Sequence, residues 1–163
     1  MMKTTRSDRL LRFIALLSLA AVFIALISQH IFGMEPCAWC VLQRLILLVI
    51  AVVCLVTGAG WGTTAIRRLG AVLALLLSVS GVVAAWYQYS VASHSFSCAQ
   101  TFADRFISGI GADAAMPWLF GIYASCMDAR RTLLGIEYSL WGLMTFAACG
   151  LLALWALMRA KRQ

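Results

Sequence analysis

Four long apolar runs constrain this chain more than anything else in it: residues 10–32, 40–60, 69–91 and 138–158. A helix needs about 20 apolar residues to cross a hydrocarbon core, and there it must satisfy its backbone polar groups internally. The runs therefore predict an all-α membrane protein, an antiparallel four-transmembrane-helix bundle. With 63% hydrophobic and 12% charged residues, the composition is not that of a soluble domain. A β-barrel would show short segments of alternating polarity, whereas these runs are continuous. The first run follows a basic stretch but lacks a small-x-small cleavage site, so it reads as a retained helix rather than a signal peptide. One transmembrane domain over residues 1–163 is expected, with outer loops at about 33–39 and 92–137.

The formal charge of +7 is spread by side of the membrane, not gathered in a patch. Lys3, Arg6, Arg9 and Arg12 lead into the first run, Arg67 and Arg68 fall between the second and third, and Arg159, Lys161 and Arg162 follow the fourth. The positive-inside rule then puts both termini in the cytoplasm. In the long outer loop Arg105, Arg130 and Arg131 are offset by Asp104, Asp113, Asp128 and Glu137. Nothing here forms a nucleic-acid footprint.

This topology sorts the six cysteines. Cys37, Cys40, Cys98 and Cys126 share the outer side, where disulfides form and persist if the membrane is a bacterial inner membrane. Cys54 and Cys149 fall inside apolar runs, as small buried hydrophobes do. Four outer cysteines allow three pairings. Cys37-Ala38-Trp39-Cys40 is a C-x-x-C at a predicted helix start, where free backbone N–H groups and the helix dipole favour a thiolate. Pro36 just before it suits such a start. Zinc would need two further ligands, and the histidines His30 and His94 stand in no ligand spacing, so no metal is expected.

Arg44 lies one helical turn beyond Cys40, on the same face. A guanidinium at that depth is read first as a functional group, able to stabilise negative charge on Cys40 or a bound acceptor. The alternative is that it snorkels to the headgroups. Trp39, Trp86, Trp118, Trp141, Tyr87, Tyr89, Tyr123 and Tyr138 cluster near the outer boundary as an aromatic belt. Phe102, Phe106, Ile107 and Ile110 recur at helical spacing, predicting a short surface helix in the long loop. Gly109, Gly111 and Pro117 should end it.

A mobile cysteine pair and a fixed pair on one side of a membrane suggest a relay, because thiol–disulfide exchange passes through mixed disulfides. The final acceptor must take two electrons at bilayer depth in a chain with no haem or iron–sulfur ligand set. That chemistry points to a quinone.

"QHIFGMEPCAWCVLQR" resembles the first outer loop and second helix of the DsbB family of bacterial disulfide-generating membrane proteins. "MPWLFGIYASCMDARRTLLGIEYSLWG" resembles the end of that family's second periplasmic loop and the start of its fourth helix. The likeness covers essentially the whole chain, including the trailing Leu134-Gly135-Ile136-Glu137. It implies a multi-pass inner-membrane thiol oxidase that reoxidises a periplasmic DsbA-like partner and passes electrons to ubiquinone or menaquinone. Cys98 would meet the partner with Cys126 as its loop mate, a Cys37–Cys126 bond would link the pairs, and Cys40 would engage quinone beside Arg44. Gln43, Glu35 and His30 match positions around the motif and are expected to pack or hydrogen-bond locally. Some members carry Arg or His near the outer end of the third helix, where this chain reads "AWYQYSVASHSFSC" and offers Gln88 and His94. Two other readings compete. A vitamin K epoxide reductase-like protein would place the loop pair before the redox helix, whereas Cys98 and Cys126 follow it. A tetraspan scaffold would use the outer disulfides only for stability.

Overall fold

A computed structural model describes residues 6–59, 63–92 and 101–160. In chain order the elements are α1 (Arg6–His30), α2 (Ala38–Thr57), α3 (Thr64–Ser90), α4 (Phe102–Gly109), α5 (Ala112–Ala115), α6 (Pro117–Phe120), β1 (Thr132–Leu133), β2 (Ile136–Glu137) and α7 (Tyr138–Ala160). The four long helices are each long and apolar enough to span a membrane. They form a ring in which α1 and α3 each pack on both α2 and α7. Side chains such as Leu16, Phe23, Val52, Leu76 and Leu151 stand exposed along the outside, where lipid replaces water as the solvent.

Between helices in lipid, close packing replaces hydrophobic exclusion as the source of attraction. Small residues supply it here. Ala71, Ala74, Ala84 and Ala85 of α3 are buried, as are Cys149, Ala153 and Ala156 of α7. Gly81 lies against the fully buried Phe146 ring, and a Cβ added there would overlap the ring itself. Cys54 and Cys149 are buried in this inner cluster, as their apolar setting predicts.

Helix ends differ from the hydropathy limits where polar groups are satisfied inside the bundle. Expected from Leu10, α1 reaches back to Arg6, because Ser7 donates to the Ala156 carbonyl at 3.5 Å and the buried Asp8 pairs with Arg67 at 3.4 Å. Arg67 and Arg68, expected in a loop, lie in the first turns of α3. Thr63 caps that helix by accepting from Ile66 N, so it starts at Thr64 rather than Leu69. The second run ends at Thr57 instead of Gly60; Gly58 follows, and its carbonyl accepts from Arg12 Nε at 2.7 Å. Together these contacts tie the N-terminal end of α1 to the α2–α3 turn.

The long loop carries the expected surface helix, α4, closed by a Thr101–Asp104 capping box. Its apolar face is split. Ala103 and Ile107 are buried in a cluster with α2, while Phe102, Phe106 and Ile110 point outward, the two phenyl rings stacked at 5.9 Å. Pro117 does not break a helix but opens the short α6 at its first turn. A two-stranded antiparallel ribbon, Thr132 opposite Glu137 and Leu133 opposite Ile136, runs directly into α7. Trp39, expected in the aromatic belt, is instead buried in the outer cluster against Tyr87 at 4.8 Å.

Candidate redox site at the N-terminal end of α2

The motif begins at the helix cap. Cys37 is the N-cap of α2, in extended conformation, and Cys40 lies in the first turn. Their sulfurs are 3.2 Å apart. Pro36 precedes the cap rather than opening the helix. Its carbonyl accepts from Tyr123 N at 3.1 Å and Ala124 N at 3.4 Å, which straps the long loop across the helix mouth.

That strap brings Cys126 in. Cys126 is half-buried in a turn held by Ser125, whose hydroxyl donates to Asp128 at 2.6 Å and whose carbonyl accepts from Ala129 N. Hydrogen bonding to Cys126 first, then to Cys40, together with burial, holds the Cys37 thiol well above its ordinary range. Cys126 packs in one cluster with Cys37 and Cys40, so three of the four predicted redox cysteines converge. Cys98 and His94 lie outside the described residues.

Two glutamines complete the sulfur environment. Gln88 Nε2 donates to Cys40 Sγ at 3.1 Å and approaches Cys37 Sγ at 3.6 Å. The Gln88 carbonyl in turn accepts from Gln43 Nε2. Both side chains are buried, and Gly142 makes room for Gln43, since a Cβ there would come 2.6 Å from Gln43 Oε1. Gln43 thus hydrogen-bonds locally as expected, whereas Gln88, only a question in the sequence, is the direct partner of the pair.

Arg44 is 4% exposed and does not snorkel. Its Nη1 donates to Gln29 Oε1 at 2.9 Å and to the Leu119 carbonyl, and its buried Nε has no hydrogen-bond partner. Gln29 carried no signal in the sequence. His30 Nε2 meets the Trp118 carbonyl at 3.0 Å, so α6 is gripped from both α1 and α2.

Below the sulfurs a cavity of about 380 Å³ opens between α1, α2, α7 and the β-ribbon. Cys40, Gln43, Arg44, Gln88 and Tyr138 give it a polar end; Leu17, Ala21, Val22, Ile24 and Leu47 supply apolar walls. Ala20 and Ile24 are both lining and exposed in the middle of a spanning helix, so the cavity communicates with the lipid side. Such a space matches the size and mixed lining of small-molecule sites. Tyr138, read from sequence only as a belt residue, meets Ser28 across the α1–α7 seam.

The family model described as "Disulfide bond formation protein DsbB" matches residues 7–156. The chain is 34% identical over 149 residues to disulfide bond formation protein B of Herminiimonas arsenicoxydans, covering 91% of this chain and 93% of the relative. It is 32% identical over 161 residues to disulfide bond formation protein B of Polaromonas naphthalenivorans, covering 95% and 93%. Against disulfide bond formation protein B 1 of Pseudomonas putida it is 29% identical over 165 residues, covering 99% and 98%. These matches do not favour the scaffold or vitamin K epoxide reductase-like readings. A model match over nearly its whole length, joined to a C-x-x-C at the mouth of a spanning helix, shows that this chain belongs to the DsbB family of disulfide-forming membrane oxidoreductases.

Proposed function

We propose that the chain reoxidises a periplasmic DsbA-like dithiol protein by a relay of cysteine pairs and delivers the electrons to ubiquinone or menaquinone in the α1–α2–α7 cavity. The loop pair, Cys98 and Cys126, exchanges first: the partner's two thiols become a disulfide and the loop disulfide becomes two thiols. The loop dithiol then reduces a Cys37–Cys40 disulfide, with Cys126 and Cys37 forming the mixed bond between pairs. Each exchange makes one S–S bond and breaks one. The chain is placed in the bacterial inner membrane with both termini cytoplasmic, following the positive-inside pattern.

The Cys37–Cys40 dithiol must lose two electrons and two protons to recover its disulfide, and a bound quinone supplies a two-electron, two-proton acceptor. The lining residues fit a flat ring with an apolar tail. Gln43, Arg44, Gln88 and Tyr138 present polar groups at the sulfur end, and the apolar walls lead toward lipid. Arg44 orients and neutralises charge beside Cys40, while Gln88 holds the Cys40 sulfur by donating to it. The Cys37 thiol keeps its proton while Cys40 reacts.

The observation that carries this reading is that Cys40, bonded by Gln88, and Arg44, with a spare buried Nε, line one cavity reachable from the lipid face. The test uses purified protein in detergent with a reduced DsbA-type partner and a soluble quinone analogue, without oxygen. Loss of oxidised-quinone absorbance that requires both the partner and Cys40 supports the relay. Full turnover by a Cys40→Ser variant would sink it.

A further inference from the structure

The Leu134-Gly135-Ile136-Glu137 segment has no part in the relay, yet its geometry is unusual. It forms the tip and second strand of the ribbon, with both tip residues left-handed: φ is +55° at Leu134 and +79° at Gly135. Such two-residue turns ordinarily carry Asn-Gly or Asp-Gly, because a branched apolar side chain is disfavoured in the left-handed region and gains nothing from water. Here the first position is leucine. At 86% exposed it is the most exposed large apolar side chain among the described residues.

Position decides what covers it. Strand β2 passes without a linker into Tyr138, the first residue of a membrane-spanning helix, so the ribbon sits at the bilayer boundary by covalent continuity. It is held there rigidly: Trp141 Nε1 donates to the Leu133 carbonyl at 3.2 Å, and Tyr138 N to the Arg131 carbonyl at 2.9 Å. Its base is polar, with Arg130 paired to Glu137 at 3.4 Å, whereas Ile136 beside the tip is partly exposed. A polar base and an apolar tip next to a spanning helix match the gradient from headgroups to acyl chains. Leu133 and Leu134 also line the cavity.

We infer that the 132–137 ribbon is a membrane-inserted finger whose Leu134 tip enters the outer leaflet and forms the lip over which a long-tailed lipid reaches the cavity. The occupant of the tip is the acyl region of the bilayer. The entry role rests on the quinone-delivery reading above; the insertion does not.

Two measurements separate these parts. An environment-sensitive fluorescent amino acid replaces Leu134, or Arg105 as an exposed control on the same loop, in the full chain in nanodiscs containing acyl-brominated lipids. Quenching at least threefold stronger at 134 than at 105 is expected; equal quenching overturns insertion. A spectral shift at 134 that appears only on adding the soluble dithiol partner would mark the tip as a protein-docking element and would also overturn it. Second, Leu134→Asp should raise KM for a long-tailed quinone at least fivefold more than for a tail-less analogue, at unchanged KM for the dithiol partner. Equal changes for the two quinones would remove the entry role. If wild type reduces no quinone at all, the delivery reading fails while the quenching result stands.

Discussion

Replacing Gln88 with leucine tests the sulfur environment most directly. The variant keeps roughly the volume but removes the donor 3.1 Å from Cys40 Sγ and strands Gln43 Nε2, which now donates to the Gln88 carbonyl. A hydrogen bond to a charged group is worth about 1.5–3 kcal/mol, and each 1.36 kcal/mol is tenfold in rate. If the bond matters only when Cys40 carries charge, its loss cuts the thiolate fraction by about ten- to hundredfold, but the less stabilised thiolate is the stronger nucleophile, with a Brønsted slope of about 0.4–0.5, so alkylation should slow by about four- to fifteenfold at fixed pH. The stranded Gln43 donor costs about 1–3 kcal/mol more, and that loss should appear as lower thermal stability rather than in the alkylation rate. The assay is stopped-flow alkylation of Cys40 in a background lacking the other outer cysteines, with circular dichroism to confirm the helices. Gln43→Leu, one bond further from the sulfur, should slow alkylation less, and the double variant should fall short of the sum because the two residues form one chain. A Gln88→Leu rate within twofold of wild type would refute the argument.

Other regions give equally definite expectations. Gly81→Val forces a side chain into the Phe146 ring; overpacking of this kind costs about 1–3 kcal/mol, so thermal unfolding in detergent should occur several degrees lower. Asp8→Asn takes the charge from a buried partner of Arg67, and loss of one member of a buried pair costs about 3–5 kcal/mol where burial is complete, less here because Arg67 retains 14% exposure. Protease nicking at the N-terminal end of α1 should rise. Because Cys126 is the foremost cause holding the Cys37 thiol up, Cys37 labelling should keep climbing above pH 9 in wild type, and Cys126→Ala should shift that rise to lower pH. A labelling curve for Cys37 that is unmoved by Cys126→Ala would contradict the convergence of these thiols.

The bundle was legible because lipid demands long continuous runs, which the sequence shows without any knowledge of contacts. The ends of the helices were not, since Arg67 looks like a loop residue until the buried Asp8, 59 positions away, is seen to pair with it. At the candidate site, spacing alone singled out Cys37, Cys40 and Arg44. It left open whether Arg44 reaches outward, because its acceptor is a backbone carbonyl at Leu119, 75 residues on, and backbone carbonyls carry no sequence signature. Gln88 was ambiguous for a similar reason: amides occur on lipid-facing and core-facing sides of a helix end alike, and only the α2–α3 packing aims it at sulfur. The ribbon was missed outright, as leucine at the turn gives none of the Asn-Gly signal by which short hairpins are recognised.

The grip of Arg44 and His30 on α6 also sets the reach of Cys126. Leu119 is fixed on one side, and Arg131, bonded to Tyr138 N, on the other. Even with the Pro36 strap at Ala124 released, Cys126 is five residues from the nearer remaining anchor, a leash of about 17 Å when fully stretched. A thiol confined to that radius meets Cys37 at an effective concentration of roughly tens of millimolar, comparable to short flexible tethers. In the proposed relay, exchange between loop and helix is therefore unimolecular at any protein concentration, and its rate depends on the length of the leash rather than on how crowded the membrane is.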